Sequence, residues 1–246
     1  MQAYTACSAF HQGLPAFAGM TLLACPGGRL VPKSLLIQRS HAFVILAFDT
    51  STPACTAALF AADGSLFAAR DEVIGRGHAE RLVPLIAEML DGNLPSQILV
   101  GTGPGSFTGI RIAIAAAQGL AIGWDVPLCG LSSLALLAAG APGDGPVAVA
   151  IAGGHGELFV QQFRRGPLRA AGEMLNLPAA AAATVIDAPL VVGSGAEALV
   201  AARGSGEALS LLPSASHALA LPAKLRSLDP RPLYARAPDA RPREAA

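Results

Sequence analysis

The chain has 246 residues with 17 basic and 17 acidic side chains, so it carries no surplus charge to draw a polyanion to its surface. Any work on nucleic acid then needs a partner that supplies the grip on phosphate. The hydrophobic fraction is 52% and the charged fraction 14%, against ~25% charged in ordinary soluble domains, which predicts extensive burial, part of it at an interface. Cys7, Cys25, Cys55 and Cys129 lie far apart with no CxxC pair, which argues against a disulfide frame and a zinc site. The longest uncharged runs are broken by glycine and proline, and the N-terminus lacks the basic start and clean apolar run of a signal peptide. A cytoplasmic location with no membrane contact is expected.

In chain order, residues 1–42 show scattered Gly, Pro and Ser without a sustained period, and are expected to be a disordered extension or a mis-assigned start. Val44–Phe48 reads as an interior strand ending in Asp49-Thr50-Ser51-Thr52-Pro53. Cys55–Phe60 and Ser65–Ala69 follow as strands joined by a turn at Asp63-Gly64. A helix over Ala79–Leu90 sets Leu82, Leu85, Ile86, Met89 and Leu90 on one face, and Pro84 must fall near its first turn or kink it. The strand Ile98-Leu99-Val100 runs into a glycine-rich turn, Gly101 to Gly105, and then a helix to about Trp124 with Ser106 or Thr108 as its cap. Between Ile110 and Trp124 only Arg111 and Gln118 are strongly polar, so this helix is expected to be buried nearly all round, partly by a second subunit. Gly109, Ala113, Ala116 and Ala117 would let another backbone come close. A short strand after Asp125 and a helix over Leu134–Ala139, capped by Ser132 or Ser133, complete a first lobe, residues 43–143.

Beyond the linker-like Ala141–Pro146 the pattern partly restarts as a second lobe, residues 144–229. It has strands over Val147–Ala152 and Glu157–Phe163, an unassigned alanine-rich stretch, a strand over Leu190–Gly193, a helix over Ala196–Ala202, and a late helix from Ser214 or Ser216 to about Ser227. Residues 230–246, rich in Pro and Arg, read as an extended tail.

Few residues here suit catalysis. Asp49, Thr50 and Ser51 could face magnesium and phosphate, or could form an Asx-type turn, and the turn is the favoured reading. The glycine run lacks the GK[ST] of a P-loop and the third glycine of a dinucleotide fingerprint. Ser106 is not framed as a nucleophile elbow, since Pro104 and Thr108 stand where glycines are needed. His78 has no helical partner, position 82 being Leu, so no metal site is expected; His41, His155 and His217 are isolated. Arg111 could bind an anion, pair with a partner carboxylate or tie down its own loop.

Four segments, Ile45–Ser51, Gly77-His78-Ala79-Glu80-Arg81-Leu82-Val83-Pro84, Gly103-Pro104-Gly105-Ser106-Phe107-Thr108-Gly109-Ile110-Arg111 and Pro232-Leu233-Tyr234-Ala235-Arg236, resemble the TsaB (YeaZ) family in order and spacing. The resemblance covers about Val44 to Pro238. It implies an α/β, two-lobed actin, sugar kinase and Hsp70-like (ribonuclease H-like) fold, each lobe a mixed five-stranded sheet with helices. It also implies a non-catalytic part in threonylcarbamoylation of the adenosine beside the anticodon of tRNAs that read A-starting codons. The implied partners are a TsaD-like catalytic subunit and a TsaE-like ATPase, with self-association when alone and tRNA met only through the complex. The implied interface comprises Gly109, Ile110, Arg111, Ala113, Ile114, Ala116, Ala117, Gln118 and Leu120, behind the loop Gly103, Pro104, Gly105, Ser106, Phe107 and Thr108. No cofactor of its own is expected, with ATP or ADP at or near the partner interface left open. An active small-molecule kinase or ATPase of the same fold is the alternative reading, and a peptidase the third. One departure is visible: relatives carry Asp-Ala-Arg-x-Gly-Glu-Val-Tyr where this chain has Ala152-Gly153-Gly154-His155-Gly156-Glu157-Leu158-Phe159.

Overall fold

The computed structural model describes Leu22–Ala24, Leu30–Pro32 and residues 45–234. The first two segments, β1 and β2, form an antiparallel ribbon in a unit of their own, residues 1–40. The rest of the expected N-terminal extension lies outside the described residues, as does the tail beyond Tyr234.

The body opens with β3 (Ile45–Asp49), β4 (Ala54–Phe60) and β5 (Leu66–Val73), an antiparallel meander. Helix α1 (His78–Leu90), β6 (Gln97–Gly101), α2 (Phe107–Trp124), β7 (Leu128–Leu131) and α3 (Ser133–Gly140) follow. The first sheet has the order β5-β4-β3-β6-β7, with β6 and β7 parallel to β3. Period-two alternation assigns its faces. Leu46, Phe48, Leu59, Ile98 and Val100 pack with α1 and α2, whereas Ala47, Ala58 and Leu99 pack with α3. Pro84 sits in the second turn of α1 on its exposed side, while Leu82, Leu85, Ile86 and Leu90 are buried as the helical spacing predicts.

The second sheet is built from β8 (Val147–Ala152), β9 (Glu157–Arg164), β10 (Arg169–Ala170), β11 (Leu175–Pro178), β12 (Leu190–Val192) and β13 (Glu207–Leu209), with α4 (Ala179–Val185) and α5 (Ala196–Arg203). It has six strands where five were expected, because β10 and β11 lie end to end along one edge of β9. The sheet is still five positions wide. Ala148, Ala150, Val160 and Val191 face α4 and α5, and Val147, Val149 and Ile151 face α3. The order is therefore helices, sheet, α3, sheet, helices.

Two expectations are corrected by this layering. The helix buried on all sides is α3, in which Ser133 to Ala138 are all buried between the sheets. Helix α2, although apolar enough in length and composition to cross a membrane, buries one face only: Gly109, Ile110, Ala113, Ile114 and Ala117 are in this chain's own core. Those five residues are thus not open to a partner, whereas Arg111 and Gln118 are exposed and Ala116 and Leu120 half-buried. The second correction concerns the late helix. Its region is a 3-10 turn (Ala215–Ala220) and a single helical turn, α6 (Ala223–Arg226), separated at Leu221-Pro222, and it packs on the first sheet. Ala215 N donates to Thr56 Oγ1 at 2.7 Å, Ser214 Oγ donates to Asp71 at 2.8 Å, and Leu228 pairs with Gly130. The second lobe therefore ends near β13, and residues 214–234 belong to the first.

Substituting Ala113→Asp or Ala117→Glu should cost more than about 3 kcal/mol of stability, because a charge would enter a packed interior; thermal unfolding checks this. A second outcome follows from His217, whose Nδ1 is buried without a hydrogen-bond partner. Burial holds its imidazole below the ordinary value of 6.5, with nearby Asp71 opposing. The unfolded chain then takes up the proton first as pH falls, so stability is lost below the ordinary histidine range. The melting temperature of the parent should fall more steeply on acidification through that range than that of His217→Gln.

Candidate functional site: the interlobe cleft and the outer face of α2

The carboxylate of Asp49, at the end of β3, is wholly buried. Its Oδ1 accepts from Ser51 N and Ser51 Oγ, each at 2.7 Å, and its Oδ2 accepts from Ser133 Oγ at the start of α3. Ser133 Oγ in turn accepts from Gly103 N at 3.1 Å. The glycines of the following turn are explained by the same corner. A Cβ at Gly101 would lie 1.8 Å from Asp49 Oδ2, one at Gly105 2.2 Å from the Ser51 carbonyl, and one at Gly109 1.9 Å from the Thr50 carbonyl. Thr50 Oγ1 donates to Gly109 O at 2.7 Å, and Ser106 N to Ser51 O at 2.7 Å. Asp49, Thr50 and Ser51 thus form the expected Asx-type turn, extended into a knot that seats the first turn of α2. Ser106 caps that helix, accepting from Gly109 N at 3.2 Å, and Thr108 is exposed instead.

Between the lobes lies a cleft of ≈ 1380 Å³. Its first-lobe wall is Ser51 to Pro53, Gly75 to Glu80 and Pro104 to Ile112; its second-lobe wall is Ile151 to His155, Phe159 and Ser194; Leu233 and Tyr234 close one side. Of the three residues expected to face nucleotide, only Ser51 lines it, because Asp49 and Thr50 are turned inward. Ala152 to His155, in the turn read above as departing from the family pattern, form part of this wall, with His155 held at φ 62°. Among the described residues no group of three or more His, Cys, Asp or Glu could hold a metal. His78 is buried, its Nε2 3.3 Å from Ala54 O.

The outer face of α2 starts at the cleft mouth. Phe107 is 53% and Ile122 83% exposed, and Arg111, Ala115, Gln118 and Gly119 are exposed between them, at spacings that place all six on one stripe. At the head of the stripe Arg111 Cζ lies 3.6 Å over the Phe107 ring centroid, and Arg111 Nε donates to Tyr234 Oη at 2.8 Å. Of the readings open for Arg111, tying down its own chain is seen here. The part of Ser133 in the Asp49 knot has no local signal 84 residues away; the site role of Tyr234 was signalled only by the Pro-Leu-Tyr-Ala-Arg motif.

Comparison with known proteins places this geometry. The family model for TsaD, tRNA N6-adenosine threonylcarbamoyltransferase, matches residues 71–218. Over 129 residues the chain is 40% identical to the tRNA threonylcarbamoyladenosine biosynthesis protein TsaB of Escherichia coli strain K12, covering 49% of this chain and 55% of that protein. The structure of YeaZ from Pseudomonas aeruginosa superposes with a TM-score of 0.66 at 33% identity, over 77% of this chain and 99% of YeaZ. The chain belongs to the TsaB/YeaZ family. A second Pseudomonas aeruginosa structure, described as an uncharacterized protein with similarity to peptidase YEAZ, gives a TM-score of 0.68 at 34% identity, over 79% of this chain and 100% of that one. The sequence match to the Escherichia coli TsaB spans about half of that relative's length. The YeaZ structures share the two-lobed α/β arrangement over almost their whole length.

Replacing Gly101 by Ala should destabilise the protein by at least about 3 kcal/mol, since Cβ and Asp49 Oδ2 cannot coexist. Ser133→Ala, which removes one bond to the buried carboxylate, should cost about 1–3 kcal/mol. Denaturant unfolding of both variants checks the order.

Proposed function

We propose that this chain acts in tRNA threonylcarbamoyladenosine biosynthesis as a non-catalytic subunit that pairs with a TsaD-like catalytic subunit through the outer face of α2. The observation that carries the reading is that stripe, exposed although the inner face of the same helix is core, and apolar or small apart from Arg111 and Gln118. An apolar helix face beside small residues is suited to helix-on-helix packing. The names borne by the TsaB relatives support the pathway. In the isolated chain the same stripe pairs two copies, and the catalytic subunit displaces one of them. A TsaE-like ATPase joins the pair, tRNA is met through the complex, and ATP or ADP, where present, lies at or near the subunit interface.

The kinase or ATPase alternative is less well supported, because the carboxylate that would hold magnesium, Asp49, already accepts three hydrogen bonds inside the chain. A peptidase reading fares no better. Asp71, Ser214 and His217 come near one another, but His217 Nδ1 has no partner and Ser214 Oγ is bonded to Asp71 and Ser216. No base is therefore set against a hydroxyl nucleophile there.

The test is reconstitution of tRNA threonylcarbamoylation from the TsaD and TsaE subunits of the same source and threonylcarbamoyl-adenylate, with and without this chain. Modified tRNA should form only when the chain is present, and the chain alone should form none. Equal modification without it, by a demonstrably competent TsaD, would contradict the proposal.

A further inference from the structure

Arg111 is held in a way that its position on a helix surface does not require. Its guanidinium lies flat on Phe107 at 3.6 Å, and the Phe107 and Tyr234 ring centroids are 5.3 Å apart. Its Nε donates to the Tyr234 hydroxyl. Stacking and this single bond fix the guanidinium plane while using one of its five donors. The two terminal nitrogens have no partner among the described residues, and Glu80, the carboxylate that shares the cleft wall, is not bonded to them. A guanidinium held in plane with both terminal nitrogens open is a fork for the two oxygens of a carboxylate.

The holding residue comes from the other end of the chain. Tyr234 stands 123 positions after Arg111 and is delivered by the returning segment, through the Leu228 bridge to Gly130 and Leu233 N donating to Thr102 O at 2.9 Å. The stripe that begins at Arg111 continues through Ala115, Gln118, Gly119 and Ile122, so a partner helix lying along it passes over the guanidinium. Covering a cation without giving it a counter-charge is costly, so a partner that covers this stripe must bring an acidic side chain to that level.

We propose that Tyr234 is a positioning residue that presets Arg111 to receive a carboxylate from the partner helix covering α2, which makes the returning segment at Leu233-Tyr234 part of the docking surface. The inference rests on the partner-subunit reading above. The test is calorimetric titration of the full chain with the catalytic subunit, using Arg111→Ala, Arg111→Lys, Tyr234→Phe, the double variant Arg111→Ala/Tyr234→Phe, and Ala115→Arg as a stripe control. Thermal melting shows that each variant is folded.

Arg111→Ala should weaken binding on the order of 30-fold or more, as for loss of one member of a covered charge pair. Tyr234→Phe should weaken it about three- to tenfold, with no further effect once Arg111 is Ala. Lys at 111 should not restore full affinity, since it cannot fork. If Ala115→Arg abolishes binding while Arg111→Ala does not weaken it, or if Tyr234→Phe acts equally with and without Arg111, this inference falls and the partner reading stands. If Ala115→Arg binds as the parent does, the partner reading falls, and this inference with it.

Discussion

The structure depends on one buried carboxylate. Asp49 has no access to solvent, so its side-chain oxygens must be met inside the chain, and three hydrogen bonds meet them: two from Ser51 and one from Ser133. Because Ser133 also receives Gly103 N, the end of β3, the glycine turn and the start of α3 are fixed to one another. Gly101, Gly105 and Gly109 are needed because any Cβ there would strike this corner. The direction of α2 follows. With its first turn bonded to Thr50 and Ser51, its Gly109–Ala117 side lies on the sheet and its Phe107–Ile122 stripe points away.

The same constraint links fold to function. A carboxylate that joins three elements is committed to structure and is a poor choice for a ligand that must come and go. The core is invested instead in α3, packed between both sheets, which ties the lobes into one unit. The segment after β13 adds a second tie by returning to the first sheet through Thr56, Asp71 and Gly130. A scaffold tied in this way is compatible with the proposed role of presenting a surface to a partner.

Much of this was legible in the sequence where the signal is local. Continuous apolar runs placed β3, β4, β6 and β8, helical spacing placed α1, and the Ser caps placed the starts of α2 and α3. The Asx turn at Asp49 was readable from residue type alone. What stayed hidden was tertiary. Composition made α2 look enclosed and gave α3 no special place, because an apolar residue carries no label for which face meets a neighbour. The strands β10, β11 and β13 were missed since they are two to four residues long and gain their order by pairing with longer strands. The bond from Tyr234 to Arg111 spans 123 positions and has no periodic signature.

On the proposed function, the stripe running along α2 from the cleft mouth to Ile122, rather than the second-lobe wall of the cleft, carries the work of the chain. Ile122, 83% exposed, tests it most directly, because replacing it leaves the core and the cleft untouched. The measurement is the rate of tRNA threonylcarbamoylation by the reconstituted system with Ile122→Asp, beside Ser194→Ala in the cleft wall, at limiting concentration of this chain. The account predicts that Ile122→Asp loses most of the activity, with recovery when the chain is raised to excess, while Ser194→Ala behaves as the parent. Full activity of Ile122→Asp with loss in Ser194→Ala would contradict it and move attention to the cleft.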